Sequence, residues 1–401
     1  MRGGRFEAVR SSPLYQRVLL ALLFLLAAIS TVEGAKNAIQ HSQDLQWSGS
    51  KMLLAHIDPW AEYLRGDPNH LILPNQYPNY LPILYLLIFP LGLLPLLPAK
   101  ILWLACNLTF AIASAILAAR FYNLHGRTIL AVVCLMLMAT PTRNTIGNGQ
   151  QGLLVLFIWC LTLIPQPLTD QRSAITGLSY GKFNFAPPVV LYLFFRGGLR
   201  SVLLSALPSV LATALIWLWL GGPYISIAHL IAEPVLVSRT GYFPSALGSN
   251  WMDVLELPLA LLHTPESLVK IIALGSALLL CTLVLYFAIK RHPGSSIQWQ
   301  LALLATLSFG LFKHHPYDAV VLLFPFCYAL HLHRAARAKA VLLLISFIWY
   351  AQRILDAATG NHVRIYVLHF AVLMVVLVMT YQLKAFEQQT EPTWATAKPL
   401  P

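Results

Sequence analysis

Charged residues are scarce in this chain, and their scarcity excludes a large class of proteins. Only 10% of the 401 residues are Asp, Glu, Lys or Arg, whereas 58% are hydrophobic. The mean hydropathy is +0.67. Soluble globular domains carry about 25% charged residues. The composition therefore predicts a polytopic membrane protein.

Cysteine is also rare, and the five cysteines show no paired spacing. Each lies inside an apolar segment, where we expect a small core residue. This pattern excludes a disulfide framework and a cysteine-based metal site. The five are Cys106, Cys134, Cys160, Cys281 and Cys327.

Nucleotide-binding signatures are missing as well. The chain has neither a Walker A lysine loop nor a GxGxxG motif after a strand, and the run 147–150 is too short to count. ATP-driven transport is therefore not expected. An activated donor must reach the protein by another route, such as a lipid phosphate drawn from the bilayer.

Long apolar segments dominate what is present. A membrane helix needs roughly 20 apolar residues, and about twelve segments (between about eleven and thirteen, since Pro breaks several) approach that length. We predict an all-α bundle of about twelve transmembrane helices, with the first segment an anchor and not a cleaved signal peptide. The segments begin near Tyr15, Tyr80, Lys100, Thr128, Gly149, Ser173, Ser201, Leu268, Ile297, Tyr317, Ala340 and Arg364.

Charge placement favours cytoplasmic N- and C-termini in a cell membrane, because Lys and Arg then concentrate at cytoplasmic turns. The net charge of +12 is explained by this topology and by anionic lipid, so no nucleic acid partner is expected. The strongest support comes from Arg196, Arg200, Lys290, Arg291, Arg334, Arg337 and Lys339.

One membrane domain over residues 1–386 accounts for nearly the whole chain, and the polar tail 387–401 is predicted to be a disordered cytoplasmic segment. Two long outer loops, at residues 33–79 and 222–267, separate apolar segments that are otherwise joined by short turns. The first contains apolar residues at helical spacing, which predicts short helices along the membrane surface. The second is rich in Gly and aromatic residues, as in an ordered binding loop.

Asp44, just past the first apolar segment, is the leading candidate for catalysis. A carboxylate at this boundary can meet a lipid-borne substrate and an aqueous one. A helix cap or a turn residue is the structural alternative. Asp58, in the same loop, is the competing carboxylate.

Further polar residues lie inside or beside apolar segments, where ionisable groups are functional candidates. Lys182 is expected at the outer end of a helix, and Lys313, His314 and His315 at an outer helix junction, where they could bind phosphate. Snorkelling, helix capping and a metal site that includes Asp318 are the alternatives. No third metal ligand is obvious, so neither a metal nor another cofactor is expected. The set is completed by Arg239 and by Arg143 and Gln150, the last two expected on the cytoplasmic side.

The order of these motifs resembles the family 87 glycosyltransferases, polyprenyl-phosphate-mannose-dependent mannosyltransferases of the GT-C architecture. The resemblance spans roughly Asp44 to Pro325, with Ile57-Asp58 in place of a glycine-containing turn and no Ser-Trp before the histidine pair. Its elements are Asp44 with Asp58-Pro59-Trp60, Pro78-Asn79-Tyr80-Leu81-Pro82, Arg143-Asn144 with Gly149-Gln150, Gly177 through Lys182 to Pro187, and His314-His315.

This resemblance implies an inverting transfer of a hexose, with mannose the expected sugar, from a polyprenyl-phosphate donor to a glycolipid or glycan acceptor. It implies that Asp44 is the general base, with Asp58 as the alternative, and that the active site faces the periplasm or exterior. Lys182, His314, His315 and Arg239 would bind the donor phosphate. Contacts to the sugar or acceptor are expected from Trp47, Trp60, Tyr80 and Asn250, although interfacial belts use the same aromatic residues.

Two other functions remain open at this level. A transporter or flippase of lipid-linked glycans also needs a basic outer cavity, but the two halves show no matching pair of broken helices. A non-catalytic subunit of an envelope polysaccharide assembly is the third reading, in which Asp44 is an ordinary cap. The sequence gives no indication of the oligomeric state.

Overall fold

The computed structural model describes residues 13–42, 44–74, 76–222, 226–240, 250–351 and 362–386. Within these ranges the regular elements are helices and there is no strand, which confirms the all-α prediction. Five helices are long and apolar enough to cross a membrane, or six if one bent pair forms a single span. The predicted count of about twelve is not confirmed. The five are Pro13–Gln40, Leu96–Phe121, Phe183–Trp219, Glu266–Arg291 and Val367–Phe386.

Helix α1 (Pro13–Gln40) buries a single narrow face. Its buried positions Ala27, Ser30, Gly34 and Ala38 recur every three or four residues and carry small side chains. Small residues let helix backbones approach closely within a membrane. The helix continues to Gln40, so the outer loop that was predicted to begin at residue 33 begins several residues later.

The first outer loop contains two short helices, as predicted, α2 (Trp47–Leu54) and α3 (Pro59–Leu64). It leads to α4 (Pro82–Gly92), which has 11 residues. Such a helix rises roughly 16 Å, about half of the hydrocarbon core. The segment predicted to start at Tyr80 is therefore too short to be a full span.

Helix α5 (Leu96–Phe121) starts beside the end of α1. Lys100 Nζ, in the first turns of α5, donates a 3.0 Å hydrogen bond to the carbonyl oxygen of Ile39. Lys100 was predicted to begin a span on the cytoplasmic side. Since Ile39 immediately precedes the Asp44 loop, Lys100 instead lies at the Asp44 end of the molecule. Because α4 does not cross the membrane, α5 begins on the same side as Asp44.

Helices α6 (Arg127–Met138) and α7 (Thr140–Asn148) form a pair bent by 57°. Helix α7 ends at Gly149, whose φ of +72° is left-handed. A Cβ at this position would lie 3.0 Å from Ser42 Oγ and 3.2 Å from Leu45 Cα. Glycine therefore provides both the backbone conformation and the close approach of α7 to the Asp44 loop.

The rest of the bundle surrounds helix α14 (Ile297–Leu311), in which every residue from 299 to 311 is buried. Helix α10 (Ala186–Trp219) is kinked at Gly198, where φ is 71°. Cys134, Cys160, Cys281 and Cys327 are buried in the interior and Cys106 is partly buried. The remaining α-helices are α8 (Gly152–Thr162), α9 (Asp170–Thr176), α10 (Ala186–Trp219), α11 (Ile227–Thr240), α12 (Trp251–Leu261), α13 (Glu266–Tyr286), α14 (Ile297–Leu311), α15 (Leu323–His331), α16 (Ala336–Tyr350) and α17 (His362–Gln382).

Candidate active site

The Asp44 carboxylate is held by three side-chain donors from three segments of the chain. Tyr80 Oη donates a 2.5 Å hydrogen bond to Oδ2, and Gln150 Nε2 also donates to that oxygen. Gln46 Nε2 donates to Oδ1. The Asp44 backbone N–H donates to the carbonyl oxygen of Asn148 at 2.8 Å. The carboxylate is thus oriented entirely by neutral hydrogen-bond donors, and Asp44 as a whole residue is partly buried.

Gln150 connects this carboxylate to a cation. While its Nε2 atom donates to Asp44, its Oε1 atom accepts a 3.2 Å hydrogen bond from Lys182 Nζ. Gln150 was predicted on the cytoplasmic side, opposite Asp44. The two residues instead lie on the same side, because the bent α6 and α7 pair returns to the Asp44 loop. Lys182 lies between two 3-10 turns, Gly177–Gly181 and Phe183–Phe185, directly before the candidate span Phe183–Trp219, so it precedes the end of that helix instead of lying within it.

Lys182 has a buried carboxylate as its partner. Its Nζ atom lies 2.5 Å from Asp318 Oδ1 and 4.8 Å from the centre of the Tyr317 ring. Asp318 Oδ2 lies 3.2 Å from Nδ1 of His314. Asp318 therefore neutralises Lys182 and orients His314 at the same time.

The order of contacts is Asp44, Gln150, Lys182, Asp318 and His314, and we call these five residues the polar network. It joins the Asp44 loop, the end of α7, the turn before α10 and the loop after α14. With Asp44 ionised and His314 neutral, it contains two negative charges and one positive charge. Three residues that were singled out separately in the sequence, Asp44, Lys182 and His314, are thus brought together.

Burial raises the pKa of Asp44 to about 6, although Tyr80, Gln46, Lys182 and Gln150 each favour the ionised form. At pH 7 most molecules therefore carry an Asp44 carboxylate that is ready to accept a proton. A general base is most effective when its pKa lies near the operating pH. The position and the pKa of Asp44 both suit this chemistry.

Asp318 and His314 lie after α14, outside the candidate membrane spans. Burial alone would raise the pKa of Asp318, but the Lys182 cation and the His314 hydrogen bond outweigh it and hold the pKa well below its ordinary value. Burial lowers the pKa of His314, and the bond to Asp318 only partly opposes this effect. Asp318 is therefore a fixed negative charge and His314 is neutral at pH 7.

Asp58 occupies a structural position. Its Oδ1 atom accepts hydrogen bonds from the backbone N–H groups of Trp60 at 2.9 Å and Ala61 at 3.0 Å, so it is the N-cap of α3. Burial raises its pKa, against these two hydrogen bonds. None of the described contacts joins Asp58 to the polar network.

Two predicted sugar contacts are engaged in packing. Trp60 is fully buried and its Nε1 donates to the carbonyl oxygen of Tyr80 at 3.1 Å, so its ring is closed to a ligand. Trp47 donates to the carbonyl oxygen of Leu94 at 3.0 Å and is partly buried. Tyr80 contributes its hydroxyl to Asp44 and is 5% exposed, so it holds the carboxylate and does not present an open ring face.

Asn250 and Lys313 belong to a separate group beside the network. Asn250 Nδ2 donates a 2.6 Å hydrogen bond to Asp253 Oδ2, and Lys313 Nζ lies 3.3 Å from both Asp253 and Glu256. Asn250 is 1% exposed, so the structure assigns it to the start of α12 instead of an open sugar contact. Lys313 is already paired with two carboxylates.

The two remaining residues that were predicted to bind phosphate are His315 and Arg239. His315 is exposed and stacks on Tyr317 with ring centres 5.0 Å apart. The backbone of Arg239 lies in α11, but its side chain is outside the described part of the chain. Among the described residues there is no group of three or more His, Cys, Asp or Glu side chains that could hold a metal ion.

Sequence reasoning missed the roles of two residues. Gln46 is fully buried and accepts a 2.7 Å hydrogen bond from Tyr85 Oη while it donates to Asp44. Asp318 was considered only as a metal ligand, whereas it is the counter-charge of Lys182. An acid four residues after a histidine in an apolar setting is a usable signal, because it needs a cation nearby.

Comparison with known proteins gives one match. The model of glycosyltransferase family 87 matches residues 77–248, a range that includes Tyr80, Gln150 and Lys182 but not Asp44, His314 or Asp318. No curated protein and no solved structure matches the chain. The resemblance to glycosyltransferase family 87 is thus confirmed over residues 77–248, and the function class that it supports is a membrane glycosyltransferase.

Proposed function

We propose that this protein transfers a hexose, with mannose the expected sugar, from a polyprenyl-phosphate donor to a glycolipid or polysaccharide acceptor at the outer face of the cytoplasmic membrane. The observation that carries the proposal is the Asp44 carboxylate. It is partly exposed, lies directly after the first candidate span and has a pKa of about 6. A protonatable group in this state can receive the proton of a hydroxyl.

The proposed reaction uses this carboxylate as the general base. The acceptor hydroxyl oxygen attacks the anomeric carbon and forms the new glycosidic bond while its proton moves to Asp44. The bond from the anomeric carbon to the phosphate oxygen breaks, and the phosphate leaves with the bonding electrons. Attack opposite to the leaving group inverts the anomeric configuration. Base catalysis of this kind is typically worth about 10²- to 10⁴-fold.

A departing phosphate already has a low affinity for protons, so it needs electrostatic stabilisation more than an acid. Lys182 lies in the same network, but Asp318 neutralises its charge, so it gives the phosphate little electrostatic stabilisation. His315, which is exposed, can donate a hydrogen bond to a phosphate oxygen. His314 is 4% exposed, and we assign it to holding Asp318.

The test compares Asp44→Asn with Asp58→Asn in purified protein reconstituted in lipid nanodiscs. The donor is radiolabelled polyprenyl-phosphate-mannose, and the product is analysed by NMR for its anomeric configuration. We expect Asp44→Asn to lower the turnover by about 10²- to 10⁴-fold, and Asp58→Asn to retain most of it. Wild-type turnover in Asp44→Asn, or a product with retained configuration, would falsify the proposed mechanism.

A further inference from the structure

A cavity of about 440 Å³ lies in the first outer loop, next to the polar network but lined by none of its side chains. Its volume is in the range of small-molecule sites. It is formed by α3 and by the chain that leads from α3 to α4. The lining residues are Tyr63, Leu64, Gly66, Asp67, Ile72, Leu73, Pro74 and Tyr77.

Buried and capped carboxylates hold the walls of this cavity in place. Glu62 is fully buried and accepts hydrogen bonds from Asn69 and Arg65. The carboxylate of Asp67 accepts hydrogen bonds from the backbone N–H groups of Leu71 at 2.8 Å and Ile72 at 3.1 Å. The loop is therefore shaped by its own polar contacts and does not need a ligand to keep the cavity open.

One nitrogen atom of Gln46 forms hydrogen bonds both to the cavity wall and to Asp44. Gln46 Nε2 donates to the carbonyl oxygen of Tyr77 at 2.9 Å and also to Asp44 Oδ1. A wall of the cavity and the proposed base are thus both within hydrogen-bond distance of the same nitrogen. Gln46 itself is fully buried, so the cavity lies beside the proposed base with this one side chain between them.

The lining suits a neutral sugar better than a phosphate. The rings of Tyr63 and Tyr77 meet edge to face with centres 5.4 Å apart and offer aromatic surface. Asp67 contributes a negative charge, and none of the lining side chains is cationic. Aromatic faces pack on the C–H face of a sugar ring, and polar groups bind its hydroxyls. The lining side chains therefore offer an anionic donor headgroup no positive charge.

We propose that this cavity binds a sugar unit of the glycan acceptor and thereby holds the acceptor beside Asp44. The inference rests on the proposed function, since it assigns the acceptor side of the same reaction. The donor, with its phosphate, then approaches from the side of Lys182 and His315.

The chain offers a matched pair of substitutions. Ile72 lines the cavity and Leu71 does not, yet both backbone N–H groups bond to Asp67. Ile72→Trp fills the cavity, whereas Leu71→Trp adds the same bulk outside it. Tyr77→Ala removes one aromatic wall without blocking the site.

Two measurements are made on each variant in nanodiscs. Saturation-transfer NMR reports the binding of soluble mannose, glucose, galactose and arabinose oligosaccharides without requiring turnover. The transfer assay reports the KM for the acceptor and the KM for the donor separately. We expect Ile72→Trp and Tyr77→Ala to weaken oligosaccharide binding and to raise the acceptor KM by roughly tenfold or more. The donor KM of these variants should stay at the wild-type value. Leu71→Trp should change neither the oligosaccharide binding nor either KM.

The outcomes separate this inference from the proposed function. If an oligosaccharide binds and Ile72→Trp abolishes that binding, the acceptor site stands even where no transfer occurs, and only the proposed reaction fails. If transfer occurs and Ile72→Trp leaves the acceptor KM at the wild-type value or changes only the donor KM, the acceptor site is wrong. Absence of binding by every oligosaccharide together with an unchanged acceptor KM also overturns it.

Discussion

The two carboxylates of the polar network have opposite surroundings. Asp44 is partly exposed and is held by neutral donors, and burial raises its pKa to about 6. Asp318 is fully buried, and Lys182 and His314 hold its pKa well below the ordinary value. When environments push two acids apart in this way, one can exchange a proton and the other is a constant charge. This difference is why we propose Asp44 for proton transfer and Asp318 for positioning.

The largest expected effect comes from removing the constant negative charge of Asp318. Asp318→Asn leaves the Lys182 ammonium, which is 5% exposed, without its counter-charge. Removing one partner of a buried ion pair typically costs about 3–5 kcal/mol. We therefore expect a large loss of stability, measured by thermal or denaturant unfolding of the detergent-solubilised protein.

A double variant provides the control for this loss. Asp318→Leu combined with Lys182→Met removes both charges and keeps apolar volume, and such replacements are often nearly neutral for stability. We expect the double variant to unfold close to wild type, but to lose transfer activity. Equal destabilisation of the single and the double variant would mean that packing, and not charge, determines the cost.

A smaller effect should appear when the neutral donors of Asp44 are changed. Since a protonated Asp44 cannot accept a proton, kcat/KM should fall as the pH decreases through about 6. Tyr80→Phe removes a hydrogen bond that favours the carboxylate, so the pKa of Asp44 should rise. A hydrogen bond to a charged group is worth about 1.5–3 kcal/mol, which corresponds to a shift of roughly one to two pH units.

The pH profile has an internal control in Tyr85. Its hydroxyl donates to Gln46 at 2.7 Å and has no described bond to Asp44, so Tyr85→Phe should leave the acidic limb near its wild-type position. A downward shift in Tyr80→Phe would contradict the role of Tyr80 as a donor to the carboxylate.

The smallest effect is expected at Asp58, which lies in the same loop as Asp44 but caps α3. Asp58→Ala removes the cap and should reduce stability by about 1 kcal/mol. Asp58→Asn retains a capping oxygen and should change little. Both variants should keep the transfer rate per folded molecule. A loss of turnover in Asp58→Asn, with the stability unchanged, would return Asp58 to the list of possible bases.

Much of the helix content could be predicted from hydropathy, because apolar segments in a membrane must satisfy their own backbone groups. The side of the membrane on which Gln150 lies could not be predicted in this way. An 11-residue apolar helix such as α4 looks like a full span when neighbouring apolar residues extend it. One span counted in excess moves the following turns to the wrong side, which is how Lys100 and Gln150 were misplaced.

The candidate site was predictable in part for a different physical reason. Asp44, Lys182 and His314 are conspicuous because ionisable groups are costly near a membrane. Gln46 carries no charge, so nothing in the sequence distinguishes it from an ordinary interfacial residue, and Tyr80 was predicted to contact sugar and not to bind Asp44. Tyr80 reaches Asp44 across 36 positions, and Gln46 is positioned by a bond to the carbonyl oxygen of Tyr77, 31 positions away. Only the folded chain reveals such pairs.

The 57° bend between α6 and α7 brings two different supports to Asp44 on one short piece of backbone. The Asn148 carbonyl fixes the position of Asp44 through its backbone, and the Gln150 side chain binds its carboxylate. Since Gly149 lies between them against Ser42 and Leu45, the two supports cannot shift independently. A change in this bend would move Asp44 and alter its proton affinity in a single step.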